Sequence, residues 1–386
     1  MRQVLSIACY ETMCILKDKI LLLMVFAVPL IYAVLFGLVY VQGILTGIPM
    51  GIVDMDNSSL SREVVQAFEN SPRFKIVREI DTYPRLEEGM KNGAVRAGLV
   101  IPEDFEKRIS QHRSVEVLTV YDGSNLIWGY NIRKYALEVI NKFSADHAAA
   151  RLAGMGMSGR EVAGILDAVS CNIEVWYNPT FSYATFLLGG LMMMIIHQIC
   201  LLSVSLSVTR EKERNSWLMY LSSPVPGWKI FLGKCLPYFA ANFLNYLLLI
   251  WLGAAVFHVK TGGSLLLIIL LGLLYDIIIT SAGFCVSALA PDSLQATRYL
   301  MLLSVPLFII SGYTWPPTHI PPLINGLARL LPYTWMAEGF RLVTVKELGF
   351  AYLAPAVLAL FSMATAAVFL AAIVAKRRRA PVIRAE

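Results

Sequence analysis

The chain has 386 residues, 57% hydrophobic and 16% charged, with a mean hydropathy of +0.61. That balance excludes an ordinary soluble globular protein of this length and leaves an integral membrane protein. The net charge of +6 is unevenly spread: residues 43–178 hold 15 Lys/Arg against 18 Asp/Glu, and the rest of the chain holds 18 against 9. The basic excess therefore belongs to a membrane face, and no nucleic-acid partner is needed to explain it.

Residues 1–19 begin with an apolar stripe at Leu5, Ala8, Cys9, Thr12 and Leu16, which suits a helix along the cytoplasmic interface. The alternative is that this stretch simply extends the next helix. Residues 20–42 are the first of six windows long and apolar enough to cross a bilayer, for which about 20 residues are needed. The window resembles a signal peptide, but its apolar run is long and no A-x-A-like site follows at Val41-Gln42-Gly43, so it reads as an uncleaved anchor.

Residues 43–178 form an inserted extracytoplasmic domain of about 135 residues, large enough for its own core. Strand patterns at 48–54, 74–80, 96–101 and 115–121 alternate with helix patterns at 58–68, 83–91 and 103–110, which favours an α/β domain with a mixed sheet. A long helix at 126–152, an interruption at 154–159, a helix at 160–168 and an extended return at 172–177 complete it. Its sole cysteine is Cys171, so it has no internal disulfide; the other five (Cys9, Cys14, Cys200, Cys235, Cys285) show no CxxC or Cys/His zinc spacing.

Residues 179–375 supply the remaining windows, at 181–208, 230–257, 264–289, 299–312 and 352–375. Between the second and third lies a loop at 209–229 that opens with Arg210, Glu211, Lys212, Glu213 and Arg214, followed by Trp217, Leu218 and Tyr220. Such charges commonly just anchor a membrane helix. With adjoining apolar anchors, they also suit the grip of a partner protein. An outer region at 313–348 is broken by Pro316, Pro317, Pro321 and Pro322, then turns helical over 323–345; its shape suggests re-entrant helices. Residues 376–386 are a basic tail. Lys and Arg cluster before the first span, between the second and third, and after the sixth, which predicts cytoplasmic termini.

Ionisable and amide groups inside the spans are costly. Asp276, with Thr280, Gly283 and Ser287 on its helical face, either lines a translocation pathway or makes a structural hydrogen bond. His197, and Asn242 with Asn245, allow the same two readings, of which packing is the better supported. The stretch from Gly227 to Lys234 superficially imitates a phosphate loop. It has five residues between its glycines instead of four, and Cys235 stands where Mg²⁺ needs Ser or Thr.

Several runs together resemble the membrane subunits of bacterial ABC-2 type exporters, in the branch with a large periplasmic domain after the first helix. They are 52–62 (IVDMDNSSLSR), 98–105 (GLVIPEDF), 121–125 (YDGSN), 176–179 (WYNP), 209–214 (TREKER) with 222–225 (SSPV), and 310–316 (ISGYTWP) with 331–334 (LPYT). They occur in the family's order over essentially the whole chain. The resemblance implies a permease in the bacterial inner membrane, coupled through 209–229 to a separate cytoplasmic ABC ATPase subunit that supplies ATP and Mg²⁺. It also implies pairing with a second copy or a paralogous permease, contact with membrane lipids, and a periplasmic adaptor among the candidate partners. This chain itself is expected to hold no metal or cofactor and to be no enzyme. One departure is Asn215-Ser216-Trp217, where the family has Gly-Thr and an acidic residue, so the partner contact is individual to this chain. A proton-coupled secondary transporter would want repeated halves and several buried acids. A membrane-anchored sensor would not need five further spans.

Overall fold

The computed structural model describes residues 1–40, 45–111, 113–166, 175–179 and 182–377. The chain divides into two compact units, one made of Met1–Gly43 with Val175–Glu386 and the other of Ile44–Glu174. The expectations for 41–43, 167–174, 180–181 and the tail beyond 377, Cys171 among them, lie outside the described residues.

The chain starts with helix α1 (Arg2–Lys17). It does not run on into the first span, because Asp18 is extended (φ −88°, ψ 102°) and caps the next helix, accepting from the Ile20 and Leu21 amides at 3.1 and 3.2 Å. Of the apolar stripe, Leu5, Cys9, Thr12 and Leu16 are exposed, and the face turned to the rest of the unit is Ala8, Glu11 and Ile15. Gly233 explains the seating, since a Cβ there would lie 2.7 Å from Ile7 Cβ and 3.1 Å from the Val4 carbonyl. The missing side chain lets α1 lie directly on the third span.

The first span is α2 (Lys19–Leu22), a π-helical turn over Leu23–Ala27, and α3 (Val28–Tyr40). Pro29 has no N–H to give to the carbonyl of Val25, four residues earlier, and the helix widens at that point.

The inserted unit follows: β1 (Ile48–Asp54), α4 (Ser59–Glu69), β2 (Phe74–Ile76), α5 (Tyr83–Lys91), β3 (Ala97–Ile101), α6 (Phe105–Ser110), β4 (Leu118–Tyr121), α7 (Leu126–Gly154) and α8 (Gly159–Leu166). Its sheet has the order β2-β1-β3-β4, with β1 parallel to β2 and β3, and β4 antiparallel to β3. Period-two alternation serves two cores. Met50, Ile52, Leu99 and Ile101 pack with Leu60, Val64, Phe68, Ile132 and Tyr135 from α4 and α7, while Val53 and Val100 pack with Ile80, Leu86 and Val95 around α5. Strand β2 is shorter than the pattern suggested, because the chain turns at Val77 (Ile80 N to Val77 O, 3.2 Å) and drives Ile80 beneath α5.

The second span is a π turn over Ala184–Leu188 continued by α9 (Gly189–Glu213). A short helix α10 (Trp217–Ser222) leads to the third span, α11 (Gly227–Ala255). The fourth, fifth and sixth spans are α12 (Leu265–Leu289), α13 (Ser293–Ile310) and α16 (Phe350–Arg377). In the outer region the helix expected over 323–345 is two helices, α14 (Pro322–Arg329) and α15 (Pro332–Thr344), because Pro332 starts a new one. Among the described residues six helices are long and apolar enough to cross a membrane, so this is an α-helical membrane protein with an inserted α/β unit.

Candidate functional site

The charged run does not hang free beyond a span. Helix α9 continues through it to Glu213, and Asn215, with φ +58°, turns the chain into α10. Each of the four charges from Arg210 to Glu213 holds a different part of the unit. Arg210 donates to Glu11 Oε1 of α1 at 3.1 Å and lies 3.7 Å from Asp18. Glu211 Oε1 accepts from Lys234 of α11 at 3.1 Å, and its other oxygen accepts from the Ser216 hydroxyl. Lys212 Nζ donates to the carbonyls of Ser287, Ala288 and Ala290 at 3.0, 2.8 and 2.6 Å, closing the C-terminus of α12 where a cation meets the helix dipole favourably. Glu213 Oε1 accepts from the Ser293 amide at 2.8 Å and its hydroxyl at 2.5 Å, at the start of α13.

Two of these groups belong to a buried network that sequence reading missed. Lys234 is wholly buried and donates to Glu11 Oε2 (2.8 Å), the Ser207 carbonyl (3.1 Å) and Glu211 Oε1 (3.1 Å). Glu11 accepts in addition from Arg210 and from Tyr238 Oη at 3.0 Å. Two carboxylates and two cations balance, and the knot joins α1, α9 and α11. Lys234 stands in an apolar run, and Glu11 is the only acid of α1, sharing a helix face with Ala8 and Ile15. Those were the available signals. The resemblance of Gly227–Lys234 to a phosphate loop ends here, since the segment is helical and the ammonium is fully engaged.

Arg210 and Glu211 are thus turned inward, into buried ion pairs with Glu11 and Lys234. Trp217 is likewise buried, its ring 5.9 Å from that of Tyr220, whose phenol is pushed up from its ordinary range by burial and by the carboxylates of Glu211 and Glu11. Exposed are Arg214, Asn215, Leu218 (60%) and Met219 (73%). The surface beside the network is therefore a polar turn followed by an apolar tip.

Among the groups inside the spans, Asp276 is buried between α12 and α9. Its Oδ1 accepts from Thr280 Oγ1 at 3.3 Å and Cys200 Sγ at 3.4 Å. The rest of its face is a packing seam. A Cβ on Gly283 would lie 2.9 Å from Val204 Cβ, and Ser287 Oγ donates to the Ser205 carbonyl at 2.5 Å. His197 Nδ1 is 2.5 Å from Tyr275 Oη, with the Tyr333 ring 5.5 Å away. Asn245 Nδ2 donates to the Val25 carbonyl at 2.6 Å, the same carbonyl that Pro29 leaves without an amide. Asn242 is buried and its Nδ2 has no partner among the described residues. Also among the described residues, no three His, Cys, Asp or Glu side chains are grouped to hold a metal ion.

Comparison with known proteins agrees with this architecture. Residues 19–374 match the family model described as ABC-2 family transporter protein. The chain is 22% identical over 302 residues to the probable multidrug ABC transporter permease YbhR of Escherichia coli (78% of this chain, 79% of the relative). It is 24% identical over 375 residues to the inner membrane transport permease YhhJ of the same species (94% of each). It is 18% identical over 353 residues to the linearmycin resistance permease protein LnrN of Bacillus subtilis (88% and 90%). Six spans, the inserted α/β unit and a family match over nearly the whole length place this chain in the ABC-2 family of transporter proteins.

Proposed function

We propose that this permease subunit of an ABC exporter works as one half of a twelve-span unit. A separate cytoplasmic ATPase that binds ATP and Mg²⁺ docks on the turn from Arg214 to Met219, and the Glu11–Arg210–Glu211–Lys234 knot carries its movement into the spans. The single observation that supports this is the knot itself. A turn attached by one strand of chain would flex under load, whereas this one is tied through buried, paired charges to α1 and α11 while its tip, Leu218 and Met219, stays exposed. Exposed apolar residues rimmed by polar ones are the usual mark of a protein contact. The termini and this turn then face the cytoplasm of a bacterial inner membrane and the inserted unit faces outward, as the distribution of Lys and Arg suggests. The names of relatives, with multidrug and linearmycin-resistance permeases among them, favour an amphiphilic cargo. Affinity purification of the full tagged chain from its native membrane in mild detergent is the test. An ATP-hydrolysing subunit recovered at about one per chain is expected, and a chain that purifies with no such subunit while remaining folded overturns the division of labour.

A further inference from the structure

The outer region contains a cavity of about 220 Å³ enclosed by the turn after α13 and by helices α14 and α15. Its lining includes Arg329, Arg341 and Lys346, with Glu338 the one carboxylate and Asn325 and Ser311 as neutral polar groups. The shape depends on Gly312, whose φ of +78° makes the turn and whose Cβ would lie 2.7 Å from Pro317 Cγ.

The cations are placed by aromatic rings and backbone and not by acids. The Arg341 guanidinium sits 3.9 Å from the Tyr313 ring centroid and donates to the Tyr313 carbonyl. Arg329 lies over Trp335 at 5.4 Å, and Lys346 lies 5.6 Å from the Tyr177 ring. Glu347, next in the chain, is engaged by Lys260 at 2.9 Å. Among the described residues none of the three forms an ion pair. A half-buried guanidinium with most of its donor fork unused is a ready partner for the planar or tetrahedral oxygens of an anion. Leu323 and Leu327 of α14, Leu330 just after it and Trp315 of the preceding turn are exposed, and none of them lines the cavity.

From this cluster of cations we propose that the cavity binds the phosphate or carboxylate head of an anionic amphiphile, with the apolar tail left outside the cavity. The proposal is independent of which subunit drives the chain and of what it exports. Arg341 supplies the directional fork, Arg329 and Lys346 add attraction at the rim, and Glu338 opposes it.

The experiment uses the full chain in neutral detergent, with three probes: phosphatidylglycerol, phosphatidylcholine of the same chain length, and inorganic phosphate. Native mass spectrometry counts what is retained, and thermal unfolding confirms that each variant folds. Phosphatidylglycerol is expected to bind at least about tenfold more tightly than phosphatidylcholine. Arg329→Gln with Lys346→Gln should weaken it by about tenfold, Arg341→Lys should do so without removing charge, and Glu338→Gln should strengthen it. If inorganic phosphate binds with the same dependence on these residues and displaces the lipid, the head group alone is recognised. If phosphate does not compete, the source is the lipid and its tail contributes to binding. Equal retention of the two lipids with no phosphate bound, or anion binding that survives both the double substitution and Arg341→Lys, overturns the site.

Discussion

Lys234 carries the least conditional residue-level consequence of this structure. Its ammonium has three protons, and Glu11, Glu211 and the Ser207 carbonyl accept one each, so burying it is tolerable only while all three partners remain. Lys234→Met removes one cation from a balanced set and leaves two buried carboxylates facing Arg210 alone. The expected cost is about 3–5 kcal/mol, seen as a large fall in the thermal midpoint of the purified protein. Adding Glu11→Gln restores the balance and should recover part of the loss; a double variant no more stable than Lys234→Met would show that charge balance is not what holds the knot. This network was not legible from the sequence, because Glu11 and Lys234 are brought together only by the fold. Each alone looks like an isolated polar residue in an apolar helix. Asp276 was legible as a buried group, since depth alone makes a carboxylate conspicuous, but its partner Cys200 was not.

At the scale of elements, Asn245 and Pro29 form one device. Pro29 frees the Val25 carbonyl inside the first span, and Asn245 from the third span takes it at 2.6 Å. Asn245→Leu should therefore leave a buried carbonyl without a partner and cost about 1–3 kcal/mol. Pro29→Ala restores an amide at the right position in the helix, so the same Asn245→Leu change in that background should cost much less. Equal costs in the two backgrounds, measured by thermal unfolding, would show that the hydrogen bond is not the link. Gly233 is a second device of this kind: Gly233→Val should push α1 off the third span and speed tryptic cleavage at Lys17 and Lys19, whereas an unchanged cleavage rate would deny the seating. Element order in the inserted unit was readable because its strands and helices change period clearly. The seating of α1 on the third span was not readable, because it is decided by a gap at Gly233, more than 200 residues away. The helix of the second span runs past residue 208 to Glu213, although charges at a helix exit normally mark the water boundary. Here they stay within the helix by pairing with four other elements.

For the whole molecule, composition and spacing were sufficient for six spans and an inserted mixed-sheet unit, while membership of the ABC-2 family was read from the resemblance of short runs such as 209–214 and 310–316 to that family. They could not separate the outward-facing part of the charged turn from the inward-facing part, and the proposed coupling rests on that separation. Exposed Leu218 and Met219 can be changed without touching the knot, whereas Arg210 and Glu211 cannot. The most direct measurement is therefore made on Leu218→Glu with Met219→Glu in the full chain. Its thermal midpoint, its recovery of the ATPase subunit and the ATP hydrolysis of the purified complex are compared with those of the unaltered protein. The expected result is an unchanged midpoint with the ATPase lost or its recovery reduced by at least about tenfold, as befits a truncated contact centre. A stable double variant that retains the ATPase in full, with undiminished hydrolysis, would contradict the account.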